Sequence, residues 1–327
     1  MSYFPSAQEF ISSGSMITGE AFPGYLPYPN VPPSVADLLG SRIRDSSEGH
    51  GPKIIVTVRE PLSRAYSSYK YNYVRMALNQ IRTELENNGG DTFYRTDEYY
   101  IKNNLLTFEE MIIAELEYLK ECLLPGGKAE TLSLKKYEDR VKERRNLINN
   151  NNGTDDSLYP LIDVEQCYVD VYENTDDTPH SDYHLSKLME KYPNKIVDIP
   201  QTNHLIRSMI ARGLYILSLD WWYESFLSDD IHIVCLEELS KSTKSMDDLT
   251  SFLGLPPFDY TSTLTKGRFN VGGNEGFNSL TQPDDEILSK SSSKIPISNE
   301  AKYQVQQFVS TYNERLFQKI GKRCSWQ

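Results

Sequence analysis

Arg59 and Ser67 are the residues of this chain whose types and spacing best suit the holding of an anion. They lie in Lys53-Ile-Ile-Val-Thr-Val-Arg59-Glu-Pro61-Leu-Ser-Arg64-Ala-Tyr-Ser67-Ser-Tyr69. An apolar run ends on an arginine, turns at a proline and enters a helix that carries a serine. Ligands of open α/β sheets bind beyond the carboxyl ends of the strands, where Arg59 sits. A guanidinium gives a charge-assisted, bidentate grip on phosphate, and a hydroxyl about two turns into the helix adds a further hydrogen bond. The plain alternative is that Arg59 pairs with a carboxylate and Ser67 faces water.

Other residues invite chemistry less specifically. Glu20 closes the short run Met16-Ile-Thr-Gly-Glu20, which reads as a strand with an acid at its end. Such a carboxylate could take a proton from a hydroxyl nucleophile, or could pair with Arg or Lys. Lys266-Gly267-Arg268-Phe-Asn-Val-Gly272-Gly273 is a basic, glycine-bearing loop. Its amides and cations could close on a phosphate, or it could be an ordinary solvated loop. Pro125-Gly-Gly-Lys128-Ala follows a helix and reads as a turn. His180 and His184 have i, i+4 spacing but no third ligand in view, so no metal is expected. Cys122, Cys167, Cys235 and Cys324 contain no CxxC pair and leave the redox compartment open. Cys235 reads as a small core residue inside an apolar strand.

The elements that must position these groups follow from pattern. Lys53–Val58 is β-branched and apolar, as expected of a central parallel strand. Pro61 suits the first turn of a helix running through Tyr69 and Tyr73. Pro23 to Pro33 reads as irregular, and Ser34 as the cap of a short helix over 35–39. Thr107-Phe-Glu-Glu110 resembles a capping box opening a helix to about Leu123. Residues 125–200 read as a partly irregular, exposed insertion, with Asn149-Asn-Asn-Asn152 and many acids. Asn152-Gly-Thr154 is a glycosylation sequon. Helical pattern returns from Asn203 to Phe226, a strand over Ile231–Leu236 follows, and then a helix over Met246–Leu253. Val305, Phe308, Val309, Tyr312, Leu316 and Ile320 line one face of a last helix, about Asn299 to Ile320. Strands separated by helices imply an α/β class: an open, mostly parallel sheet flanked by helices, in a single domain over 1–327.

The chain has 327 residues, 39% hydrophobic and 24% charged, with a net charge of −12. That balance is globular and disfavours a nucleic-acid partner. An anionic ligand must therefore be held by a local basic site.

Arg59-x-Pro61-x-x-Arg64-Ala-Tyr-Ser67-x-Tyr69 closely resembles the 3′-phosphate-binding segment of sulfotransferases, in the Golgi heparan-sulfate and carbohydrate branch. These enzymes use 3′-phosphoadenosine-5′-phosphosulfate (PAPS). Further segments resemble that family in order: Ile17-Thr-Gly-Glu20-Ala-x-Pro23-x-Tyr25; Gly213-Leu-Tyr215 with Leu219, Trp222 and Phe226; Glu237-Glu-Leu239 with Phe252-Leu-Gly-Leu-Pro256; and Tyr312-Asn-Glu-Arg315 with Trp326. The resemblance implies a P-loop-NTPase-like sulfotransferase fold and PAPS as co-substrate without a metal. It implies sulfuryl transfer to a hydroxyl or amine of a carbohydrate acceptor such as a glycosaminoglycan or glycoprotein glycan. Arg59 and Ser67 would hold the 3′-phosphate. Lys266, Gly267 and Arg268 would close over it. Glu20 would be the general base, a role that suits a buried carboxylate. Arg64 is expected to be structural, and Tyr215 to pack in the core or lie near the nucleotide. By the same analogy the protein would work in the Golgi lumen or at its membrane, through a segment not found in these residues.

One family part is missing. A Lys-x-Gly-Thr-Thr loop should cradle the 5′-phosphosulfate ahead of Glu20, as a phosphate loop does at a helix N-terminus, and the nineteen residues before Glu20 contain none. The expectation is a chain lacking its N-terminal strand and loop. The alternative function is a non-catalytic sulfotransferase-like domain that binds nucleotide or glycan.

Overall fold

A computed structural model describes residues 19–22, 24–39, 52–87, 96–143, 159–168, 183–239, 243–262 and 295–326. It is rich in helix, with a two-stranded parallel sheet, and this mixture is compatible with an α/β fold. Strand β1 (Ile54–Val58) pairs in parallel with β2 (Ile231–Cys235), with Ile54 opposite Ile231 and Val58 opposite Cys235. Among the described residues β1 has no second neighbour, and its burial alternates. Val56 and Val58 face the core, while Thr57 is exposed and Ile55 is 42% exposed. The apolar run therefore does not make a strand covered on both faces, as its composition suggests.

In chain order the longer helices are α1 (Val31–Leu39), α2 (Pro61–Ser68), α3 (Arg75–Asn87), α4 (Asp97–Asn104), α5 (Phe108–Cys122), α6 (Lys128–Lys136), α7 (Tyr183–Lys191), α8 (Tyr215–Tyr223), α9 (Lys244–Phe252) and α10 (Asn299–Ile320). Helix α1 starts at Val31, earlier than the Ser34 cap predicts. Pro32 and Pro33 fit its first turn, where no intrahelical N–H is needed. The strand expected over residues 16–20 lies mostly outside the described residues, and Gly19 and Glu20 have no regular structure. Helix α5 has the predicted capping box: Thr107 Oγ1 accepts from Glu110 N at 3.2 Å, and Thr107 N donates to Glu110 Oε2 at 2.7 Å. Helix α10 buries Val305, Val309 and Leu316 on its predicted face.

Between α2 and α3 the chain forms a π-helix over Tyr69–Val74. This wider turn keeps Tyr69, Tyr73 and Val74 buried. The Tyr69 hydroxyl donates to the Leu106 carbonyl and the Tyr73 hydroxyl accepts from Leu106 N, each at 2.8 Å. Two deep buried rings thus have hydrogen-bond partners.

The stretch 125–200 is far from wholly exposed. Leu161, Val164, Tyr168, Leu185, Leu188, Val197 and Ile199 are buried, most of them in the core shared by α2, α3 and α5. A Cys122–Cys167 disulfide fixes that stretch to the end of α5. A second disulfide, Cys235–Cys324, ties the end of β2 to the segment after α10. Cys235 is therefore a cross-link rather than a simple packing residue. Lys128 points inward, donating to Tyr118 Oη at 2.9 Å and to the Cys167 carbonyl at 3.0 Å.

Candidate functional site

The β1–α2 turn is built by hydrogen bonds that draw on the Arg59 backbone and, among the described residues, not on its side chain. Arg59 N donates to Tyr215 Oη at 3.1 Å, and Glu60 N donates to Glu237 Oε1 at 2.9 Å. The Glu60 carboxylate then caps α2, accepting from Leu62 N at 3.0 Å and Ser63 N at 2.6 Å, with Pro61 at the first helical position. Glu237 sits just past β2, and its other oxygen accepts from Trp326 Nε1 at 3.1 Å. The end of each strand is thereby locked to the other and to the C-terminal segment.

This geometry gives physical reasons for residue types seen in the sequence. A Cβ on Gly213 would stand 3.0 Å from the Pro61 Cβ, so only glycine lets Pro61 close on this backbone without displacement. Tyr215 is buried and still reaches Arg59 N with its hydroxyl. It packs in the core, one of the two expectations, and its hydroxyl also holds the backbone of the β1–α2 turn. Burial raises its pKa, so it remains a neutral hydroxyl there.

The predicted anion residues are brought to one place only in part. Arg59 is half-buried at the carboxyl end of β1, and Ser67 is exposed on α2. Lys266, Gly267 and Arg268 lie outside the described residues, as do His180 and Asn152. Glu20 is exposed rather than buried, and it accepts a hydrogen bond from the Tyr25 hydroxyl rather than pairing with Arg or Lys. The segment after it is anchored: Leu26 O accepts from Trp222 Nε1 at 3.3 Å, and Tyr28 Oη accepts from Arg212 Nη2 at 3.2 Å.

Arg64 is structural. Its Nη1 donates to the Met209 carbonyl at 2.9 Å, and burial lowers its pKa, opposed by Tyr215 and Glu115 nearby. Beneath it lies a buried polar cluster that the sequence does not announce. Glu115 accepts from Ile210 N at 2.9 Å, Ala211 N at 3.0 Å and Tyr168 Oη at 2.9 Å. Glu165 holds Arg207 at 3.2 Å and Arg212 at 3.4 Å. His184 is buried and stacks on Tyr118 with ring centroids 5.7 Å apart. Among the described residues no group of three or more His, Cys, Asp or Glu side chains could hold a metal ion, and no helix is long and apolar enough to cross a membrane.

No family model matches the chain, and no solved structure matches it. The chain is 22% identical, over 320 residues, to the membrane-associated sulfotransferase kil1 of Dictyostelium discoideum. The match covers 95% of this chain and 53% of that protein, so the chain spans about half the length of the curated relative. This similarity, running through nearly all the elements described above, supports a sulfotransferase-like function.

Proposed function

We propose that the chain carries the nucleotide-holding part of a sulfotransferase that uses PAPS and acts on a carbohydrate hydroxyl or amine. The observation that carries this reading is the Arg59 guanidinium. It stands at the carboxyl end of a parallel strand with no carboxylate partner among the described residues, and the helix that follows presents the exposed hydroxyl of Ser67. A cation left unpaired at such a place fits a phosphate dianion. Lys266, Gly267 and Arg268 would complete the grip from the loop.

PAPS supplies an activated sulfuryl group whose leaving group is 3′-phosphoadenosine 5′-phosphate. Arg59 and Ser67 hold the 3′-phosphate and so orient the nucleotide. Glu20 takes the proton from the acceptor oxygen as that oxygen bonds to sulfur and the sulfur–oxygen bond to the 5′-phosphate breaks. The Tyr25 hydroxyl steers the Glu20 carboxylate. The disulfides favour an oxidising compartment, which suits the Golgi lumen that the family resemblance suggests.

The test is titration with 3′-phosphoadenosine 5′-phosphate, followed by a transfer assay with labelled PAPS on desulfated glycosaminoglycans. The wild type is expected to bind the nucleotide, and Arg59→Ala to weaken binding about tenfold or more. Glu20→Gln should keep binding and lose about 100-fold or more in kcat. No binding by the wild type, or binding untouched by Arg59→Ala, refutes the assignment. Nucleotide binding without transfer would leave a binding domain instead of an enzyme.

A further inference from the structure

A second cation, Lys70, lies within electrostatic reach of Arg59. Lys70 is the second residue of the π segment, three residues past Ser67 and four past Tyr66, about one turn further along the same helical run. The Lys70 ammonium lies over the Tyr66 ring, 5.0 Å from its centroid. Tyr66 is itself fixed, stacked on Tyr69 at 6.2 Å and edge-on to Phe108 at 5.1 Å. A lysine is ordinarily a mobile, solvated charge. This one is half-buried and held on an aromatic platform anchored in the core.

Burial lowers the Lys70 pKa, and the charge of Arg59 lowers it further, so the two cations feel each other. Among the described residues no carboxylate pairs with either side chain, in a chain with 46 acidic residues against 34 basic ones. Two cations and an exposed hydroxyl match the charge and acceptor oxygens of a phosphate monoester, while the carboxylates at this turn, Glu60 and Glu237, are engaged by Leu62 N, Ser63 N, Glu60 N and Trp326 Nε1.

We propose that Lys70 is a third ligand of the group held by Arg59 and Ser67, and that it sets the preference for a 3′-phosphorylated nucleotide over one lacking that phosphate. The inference rests on the nucleotide reading above and deepens it. Arg59 grips from the strand end, Ser67 donates from α2, and Lys70 approaches from the π-helix junction. The chain's negative field makes this local excess of positive charge decisive for admitting an anion.

The experiment compares 3′-phosphoadenosine 5′-phosphate with adenosine 5′-monophosphate, which differ by the 3′-phosphate alone. Both are titrated calorimetrically into the full chain, its Lys70→Gln and Lys70→Arg variants, and Arg59→Ala. Lys70→Gln is expected to weaken the bisphosphate about tenfold and leave the monophosphate unchanged, with a shallower salt dependence, and Lys70→Arg to restore most of the loss. Thermal unfolding of the unliganded variants checks that the fold is intact. If the wild type binds no bisphosphate, the proposed function and this inference fall together. If it binds and Arg59→Ala weakens it while Lys70→Gln does not, or if Lys70→Gln weakens both nucleotides equally, the Lys70 assignment alone is overturned.

Discussion

Glu115 in α5 and Ala211, 96 residues further along the chain, meet where Glu115 Oε1 accepts the Ala211 backbone N–H at 3.0 Å. The bond joins the helix under the anion segment to the glycine turn that leads into α8. A carboxylate placed there must satisfy Ile210 N and Tyr168 Oη as well, and it does so without access to water. Burial nevertheless pushes its pKa up to about 7.

That shift has an opposing partner. Burial lowers the His184 imidazole to about 4, with the Arg207 charge contributing in the same direction. From its ordinary value of 4.5 to about 7, folded Glu115 keeps a proton that the unfolded chain releases, so its contribution to stability falls as pH rises. From about 4 to 6.5, folded His184 lacks a proton that the unfolded chain binds, so its contribution rises with pH. Each integrates to on the order of 3 kcal/mol, and the two nearly cancel. Urea denaturation at several pH values between about 4.5 and 6.5 should therefore give Glu115→Gln a stability that climbs with pH relative to wild type. His184→Leu should show one that declines. Parallel profiles for all three proteins would contradict the buried placement of these groups.

The turn carrying Arg59 is predicted to be sensitive to changes that never touch a ligand. Gly213→Ala forces a methyl against Pro61 and should cost about 1–3 kcal/mol. Tyr215→Phe leaves Arg59 N without its partner and should cost about 1 kcal/mol. Both should weaken 3′-phosphoadenosine 5′-phosphate several-fold by moving Arg59. Calorimetric unfolding and nucleotide titration measure the two effects. A large stability loss with unchanged affinity would separate the turn from the site.

Thiol titration of the denatured, unreduced protein should find no free cysteine, since Cys122 pairs with Cys167 and Cys235 with Cys324. Replacing Cys122 and Cys167 together by alanine opens a link across 45 residues and should cost about 2–4 kcal/mol. Stability equal to wild type in that double variant would count against the clasp.

Local signals made the strand–turn–helix around Arg59 legible. β-branched residues run up to the arginine, and Pro61 suits a helix start. Helix α10 was legible for the same reason, since its apolar positions repeat at helical spacing. The burial of 125–200 was not legible. Its core residues are scattered singly among acids, and four cysteines allow three pairings that spacing cannot rank. Ile55 and Thr57 are as β-prone as Val56 and Val58, so the pattern suits a central strand although only alternate residues are buried. Composition does not reveal which alternate residues meet the core. Lys70 carries no motif at all, and only its perch on Tyr66 sets it apart from other lysines.

The π segment over Tyr69–Val74 takes in one more residue than an ordinary α turn would. A wide turn of this kind leaves the helix on either side in nearly the same phase, so Ala77, Leu78 and Ile81 of α3 keep the facing they would have in an unbroken helix one residue shorter. Deleting a single residue within 69–74 would let an ordinary α-helix run through with α3 still facing inward, and the loss would fall on Tyr69 and Tyr73, whose hydroxyls meet Leu106. The same deletion within α2 or α3 would turn every downstream side chain by about 100°. The helix can therefore shed a residue at this junction and keep its register.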